Sequence, residues 1–163
     1  MNLPKANIGF TGTQQGMTEK QKETIKKMIS ASYDDPSEQC IGHHGDCIGA
    51  DKDFHDIMMS FNTSVVIHPP INSSKRAFCK GNKVTVLSPK DYLVRNHDIV
   101  DSTEYLIACP KGFEEELRSG TWATIRYMRK EQDHTHCIIV FPDGTRSDHL
   151  DRSKIYETLS CMW

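Results

Sequence analysis

Short, almost uninterrupted apolar runs alternate with longer segments of helical periodicity. The sequence therefore predicts an α/β fold: a doubly wound, Rossmann-like, mostly parallel sheet of about five strands with helices on both faces. The runs ANIGFT, SVVIH, YLIAC and CIIVF are too continuously apolar to keep one face in water. The segments between them repeat apolar residues three and four apart. Glycine or proline closes each run, at Gly12, Pro69–Pro70, Pro110 and Pro142.

Ala6–Thr11 is the first expected strand. Thr18-x-x-Gln21 has the pattern of a capping box and opens a helix whose buried stripe is Ile25, Met28 and Ile29. Cys40–Gly42 is a very short second strand. Ala50, Phe54, Ile57, Met58 and Phe61 lie on one face of a second helix. Ser64–His68 is the third strand. Residues 71–90 are basic and irregular and predict a long loop or small insertion. Tyr92–Ser102 is the third helix and Tyr105–Cys109 the fourth strand. Gly120–Lys130 is the fourth helix, with Trp122, Ile125 and Met128 inward, and Cys137–Phe141 the fifth strand. The whole chain, 1–163, is expected to be one domain: a core over 6–142 and a polar tail over 143–163, in which Ile155, Tyr156 and Leu159 mark a short helix.

Composition narrows the partners. Lys+Arg number 20 and Asp+Glu 22, a net charge of −2. This argues against nucleic acid or a membrane surface held by bulk charge. The longest apolar run, Cys137–Phe141, is too short to cross a bilayer, and the first residues lack a signal-peptide core, so a cytoplasmic location is expected. The cysteines at 40, 47, 79, 109, 137 and 161 include no C-x-x-C and are read as reduced thiols.

In a doubly wound sheet, ligands bind at the carboxyl ends of the strands. The turn after the first strand carries Thr11, Gly12 and Thr13, with hydroxyls and close backbone for an anion, or simply a tight turn. It is not the G-x-G-x-x-G of a dinucleotide site, and no cofactor is expected. After the second strand comes Gly42-His43-His44-Gly45-Asp46-Cys47-Ile48-Gly49-Ala50-Asp51, just before a helix N-terminus. Asp46 and Asp51 can accept hydrogen bonds from a sugar, or one can cap the helix. A metal set of His43, His44, Asp46 and Cys47 is disfavoured, because adjacent strand histidines point to opposite sides and no second ligand pair follows. Ser119-Gly120-Thr121 opens the fourth helix as a phosphate nest or as an ordinary N-cap. Arg95 and Asn96, with Arg76, Lys80 and Lys83, are candidate partners for a phosphate.

The order Gly12-Thr13, Gly45-Asp46-x-x-Gly49-Ala50-Asp51, Arg95 before YLIACP, then Ser119-Gly120-Thr121 resembles the SLOG superfamily over about residues 6–142. That group includes the LOG phosphoribohydrolases, the DprA single-stranded-DNA-binding proteins and nucleotide-sensing domains. The form here is closest to uncharacterised bacterial and phage SLOG proteins. The resemblance implies a nucleotide or nucleotide-derived ligand on Gly12, Thr13, Gly45, Asp46, Gly49, Asp51, Arg95, Asn96, Ser119, Gly120 and Thr121, and a homo-oligomer. Arg95 takes the place of the LOG catalytic arginine, and Gly120-Thr121 that of the glycine-threonine in PGGxGTxxE. The paired glycines are replaced by Lys111-Gly112, and the motif's glutamate falls on Thr124, which cannot act as a carboxylate base. The expected function is binding, as a sensor or sequestering protein. The alternative is N-glycosidic cleavage of a nucleoside monophosphate, with Arg95 clamping substrate and Asp46 or Asp51 assisting.

Overall fold

The computed structural model describes residues 7–31, 40–131 and 136–149. It is an α/β fold built on a seven-stranded sheet of order β4-β3-β2-β1-β5-β6-β7. The strands are β1 (Asn7–Gly12), β2 (Ile41–His44), β3 (Ser64–Ile67), β4 (Val84–Val86), β5 (Tyr105–Cys109), β6 (His136–Val140) and β7 (Arg146–His149). All neighbours pair in parallel except β6 and β7. The helices are α1 (Glu19–Ala31), α2 (Ala50–Ser60), α3 (Tyr92–Asp101) and α4 (Gly120–Lys130).

Five strands are those expected, Tyr105–Cys109 with the same bounds and the other four shifted by a residue or two. β4 and β7 are additional. Residues 71–90 hold a 3-10 turn at Ser73–Lys75 and the three-residue strand β4, which is largely exposed. An exposed strand of three residues carries no legible apolar pattern. β7 lies in what reads as polar tail. The Phe141 N–H donates to the Thr145 carbonyl (2.9 Å) and Gly144 adopts φ 84°, so Asp143-Gly144 turns the chain back along β6. The helix expected around Ile155, Tyr156 and Leu159, like Cys161, lies outside the described residues.

Local chemistry sets the element ends. Thr18 N donates to Gln21 Oε1 (2.9 Å) and Gln21 N to Thr18 Oγ1 (3.1 Å), the reciprocal pair of a capping box. The same Gln21 amide donates to the carbonyls of Pro110 and Val140, tying the start of α1 to the ends of β5 and β6. Ser119 Oγ accepts from Trp122 N (3.3 Å) and caps α4. Phe10 and Phe54 stack with centroids 4.5 Å apart, joining α2 to β1.

Two apolar clusters use alternate residues of the central strands. Ile107, Cys109, Ile138 and Val140 pack with Ile25, Met28 and Ile29 of α1 and Phe54, Ile57 and Met58 of α2. Leu106, Ala108, Cys137 and Ile139 pack with Ile99 and Val100 of α3 and Trp122, Ile125 and Met128 of α4. Successive strand residues point to opposite sides of a sheet, so each strand serves both clusters. Cys40, Cys47, Cys79, Cys109 and Cys137 are buried, and none is in a disulfide among the described residues. No helix among the described residues is long and apolar enough to cross a membrane.

The strand order has a functional consequence. From β1 the chain steps outward through β2, β3 and β4, then returns through α3 to the other side of β1. The connections therefore diverge between β1 and β5, which opens a crevice at their carboxyl ends.

Candidate functional site

A crevice of about 390 Å³ occupies that divergence point. Its walls come from the turn after β1, the turn after β2, the start of α3, and the β5–α4 loop with the start of α4. Of the expected ligand residues, Gly12, Thr13, Gly45, Asp51, Arg95, Asn96, Ser119, Gly120 and Thr121 border it.

Backbone contacts hold the β1 turn. Thr13 N donates to Cys109 O (3.1 Å), and Ala50 N donates to Thr13 O (2.9 Å). Gly12 lies so close to α2 that an added Cβ would meet the Ala50 methyl at 2.5 Å. Gly120 differs: the nearest atom to a Cβ there is in the Tyr92 ring, at 3.7 Å. Gly120 and Thr121 supply the first N–H groups of α4, which no helical carbonyl can satisfy.

The turn after β2 is organised by Asp51. Its Oδ2 accepts from the N–H groups of Gly45 and Cys47, both at 3.1 Å. Arg95 Nη1 stands 4.0 Å from the same oxygen. Burial pushes the Asp51 carboxyl up to about 6, against the opposing pull of the Arg95 guanidinium and of the two N–H bonds. Asp51 therefore does not cap α2, whose N-cap Gly49 makes no side-chain cap bond.

Arg95 is 2% exposed. Its Nη2 reaches Cys47 Sγ at 3.6 Å, and its guanidinium lies 4.5 Å from the Tyr92 ring centroid. Its Nε has no hydrogen-bond partner among the described residues. A buried guanidinium normally has its donors filled by carboxylates or carbonyls. Here a single carboxylate stands beyond hydrogen-bond distance, a thiol is a weak acceptor, and one donor is empty. Gly45 makes room for this arrangement: a Cβ there would overlap the Arg95 Nη1 atom.

Asp46 and Gly49 do not border the crevice. Asp46 is fully buried with φ 59°, and its carboxylate accepts from Arg76 Nε (2.8 Å) and Cys79 N (2.9 Å). It fastens the 76–79 segment and cannot serve a sugar or phosphate. Gly49 has φ 88°, and a Cβ there would strike the Gln14 backbone, so it packs two turns together. The candidate cations Arg76, Lys80 and Lys83 also lie outside the crevice; Arg76 is spent on Asp46 and Lys83 donates to the Asn62 carbonyl (3.1 Å). The crevice instead gains Lys111 and Arg118, with Glu116 pairing Lys111 at 3.5 Å. Tyr92 and Cys47 also border it, their Oη and Sγ 3.2 Å apart. Tyr92 lies three residues before Arg95, one turn away on the same helix face, which is a readable signal; the loop residues carry none. Thr124 is buried in α4 with its hydroxyl on the Gly120 carbonyl (2.9 Å), outside the crevice.

The histidines form two closed chains. His43 Nε2 donates to Asn7 Oδ1 (3.0 Å), so its Nδ1 accepts from His68 Nε2 (2.9 Å). Asp46 N donates to His44 Nδ1 (3.0 Å), His44 Nε2 to His55 Nδ1 (2.9 Å), and His55 Nε2 to the Lys80 carbonyl (3.0 Å). Donor atoms of His44, His55 and Cys79 lie within 4.8 Å of one another, a spacing that could hold a metal ion. The Asp46 N–H on Nδ1 places the His44 proton on Nε2, the atom that would have to bind the metal. Burial also pushes the Cys79 thiol up to about 12, away from the thiolate a metal needs.

No protein-family model matches the chain, and no curated protein matches it.

Proposed function

We propose that this chain is a doubly wound, SLOG-type protein that binds a nucleotide or nucleotide-derived ligand in the β1/β5 crevice, as a sensor or a sequestering protein. One observation carries the reading: Arg95 is buried at the crevice wall, and among the described residues its charge is incompletely paired and its Nε has no partner. Burying such a group is costly unless an anion completes it. The first N–H groups of α4 and the glycine turn after β1 face the same crevice and supply the weaker half of an anion site. Arg118 adds positive charge at the loop, where Lys111 is paired with Glu116. The size suits a nucleoside monophosphate, since small-ligand pockets start at about 300 Å³. The two apolar clusters support helices on both faces of the sheet. Five buried cysteines, none in a disulfide among the described residues, support a reducing, cytoplasmic setting. Exposed Val86, Leu87, Leu93 and Val94, around β4 and the start of α3, offer apolar surface for a homo-oligomer.

Hydrolysis is the second reading. Asp51 favours it, as a buried carboxylate at the crevice with its pKa near 6, beside Arg95. Asp51 is already committed to the Gly45 and Cys47 N–H groups, and Thr124 offers no carboxylate, so binding without turnover is the better reading.

The test is mass spectrometry of small molecules released from the purified protein by denaturation, beside chromatography of adenine, guanine, cytosine and uracil after incubation with each monophosphate. A phosphate-bearing nucleotide derivative carried by wild type and lost in Arg95→Ala supports the binder. Fast, Arg95-dependent base release promotes the hydrolase.

A further inference from the structure

We propose that anion binding in the crevice takes up a proton at Asp51, because ligand and Asp51 compete for the one Arg95 guanidinium. The inference rests on the anion-binding reading above and concerns how that site is regulated.

The geometry sets up the competition. Asp51 Oδ2 is the only carboxylate oxygen that the described residues place within 4.0 Å of Arg95. Both side chains are almost fully buried, and both border the crevice. An anion seated on Arg95 therefore stands close to Asp51 with little water between them. Two adjacent negative charges at a buried site raise the affinity of the carboxylate for a proton. Oδ2 already accepts two backbone N–H bonds, so Oδ1 is the oxygen that takes the proton. With Asp51 neutral, Arg95 keeps its full charge for the ligand, and the two N–H bonds to Oδ2 persist.

The surrounding groups leave Asp51 as the switch. From α3 it faces Arg95, with Tyr92 beyond. From its own turn it meets Cys47, whose thiol is pushed up by burial and by Asp51, and the more distant Asp46, which is spent on Arg76 and Cys79. His44 on β2 is held neutral, well below its usual pKa, by burial and by the charges around it. Across the crevice Glu116 is paired with Lys111, and Arg118 also borders it. The free carboxyl titrates near 6, so at neutral pH it is mostly ionised and has a proton to gain.

The sign follows from linkage. If the bound state holds more protons than the free state, affinity falls as pH rises above the free pKa. For a bound-state rise of one to two pKa units, affinity weakens by about 5- to 25-fold between pH 6 and pH 8.

Inorganic sulfate is a suitable probe because it stays a dianion over this range. Calorimetric titrations of wild type at pH 6, 7 and 8 should show that weakening. Titrations at pH 7 in two buffers of different ionisation heat should show uptake of a fraction of a proton per sulfate. Asp51→Asn should bind sulfate with an affinity that no longer changes with pH. Sulfate binding without proton uptake in wild type overturns the inference and leaves the anion site standing. A slope retained in Asp51→Asn overturns it equally. Absence of any sulfate binding overturns the site and the inference together. The proton-uptake measurement needs only wild type, so it decides the matter even if Asp51→Asn folds poorly.

Discussion

Gly45→Ala should empty the site while leaving the fold in place. Gly45 is not among the positive-φ glycines, so an alanine backbone fits without strain. Its Cβ would fall on the Arg95 guanidinium, with Asp51 Oδ2 the next atom at 3.1 Å. The atoms that must move are the far end of a flexible side chain rather than backbone. Arg95 would therefore swing from its position into the crevice, and any ligand would lose its charge-assisted hydrogen bonds. Such bonds are worth about 1.5–3 kcal/mol, so binding of adenosine monophosphate should weaken roughly 10- to 150-fold. Calorimetry reads this directly. Arg95→Ala should show the same loss, and the double variant should add less than about 0.5 kcal/mol to either, because both substitutions remove one interaction. Wild-type affinity in Gly45→Ala, or losses that add in the double variant, would refute the role given to Arg95.

Other outcomes follow from the same geometry. Gly120→Asp has room for its side chain beside Tyr92, yet it puts a carboxylate at the start of α4; a like charge at 4 Å costs about 4 kcal/mol at an effective dielectric of about 20, so calorimetry should find no nucleotide binding on an unchanged circular-dichroism spectrum. Gly49→Ala should lower stability by about 1–3 kcal/mol in urea unfolding, since φ 88° strains an L-residue and the Cβ meets the Gln14 backbone. His43 and His68 are pushed down to about 4 by burial, and His44 lies well below its usual value. For His43 and His68 the unfolded chain takes up a proton near 6.5 and the folded one resists until about 4, so their stabilisation is present above 6.5 and is lost as pH falls through that window, by up to about 1.4 kcal/mol per pH unit for each of the two. A melting temperature that stays flat from pH 6.5 to 4.5 would contradict neutral His43 and His68 in the folded protein.

Elements with long apolar patterns were legible: β1, β5 and β6, the stripes of α1, α2 and α4, and the Thr18–Gln21 box all lie close to where the pattern puts them. β4 and β7 were not: β4 is an edge strand of only three residues, too short for a pattern, and β7 is an edge strand of four polar residues, so both depend on backbone partners. In the site, glycine turns and a helix arginine were legible because their chemistry depends on local sequence. The two aspartates of the 45–51 turn were not separable. Asp46 turns into the protein through a left-handed backbone and meets Arg76, thirty residues on, whereas Asp51 sits on α2 and reaches the crevice. Lys111, Glu116 and Arg118 line the crevice only because the long β5–α4 loop folds over it.

The central claim is that an anionic nucleotide sits between the β1 turn, Arg95 and the start of α4. Proton–nitrogen correlation spectra of the uniformly ¹⁵N-labelled protein, titrated with adenosine, guanosine, cytidine and uridine monophosphates, test this residue by residue. Saturable shifts are expected with at least one of them, concentrated at the Gly12, Thr13, Gly120 and Thr121 amides and the Arg95 Nε–H, and abolished in Arg95→Ala. Shifts clustered elsewhere on the surface, or the same shifts in Arg95→Ala, would contradict it.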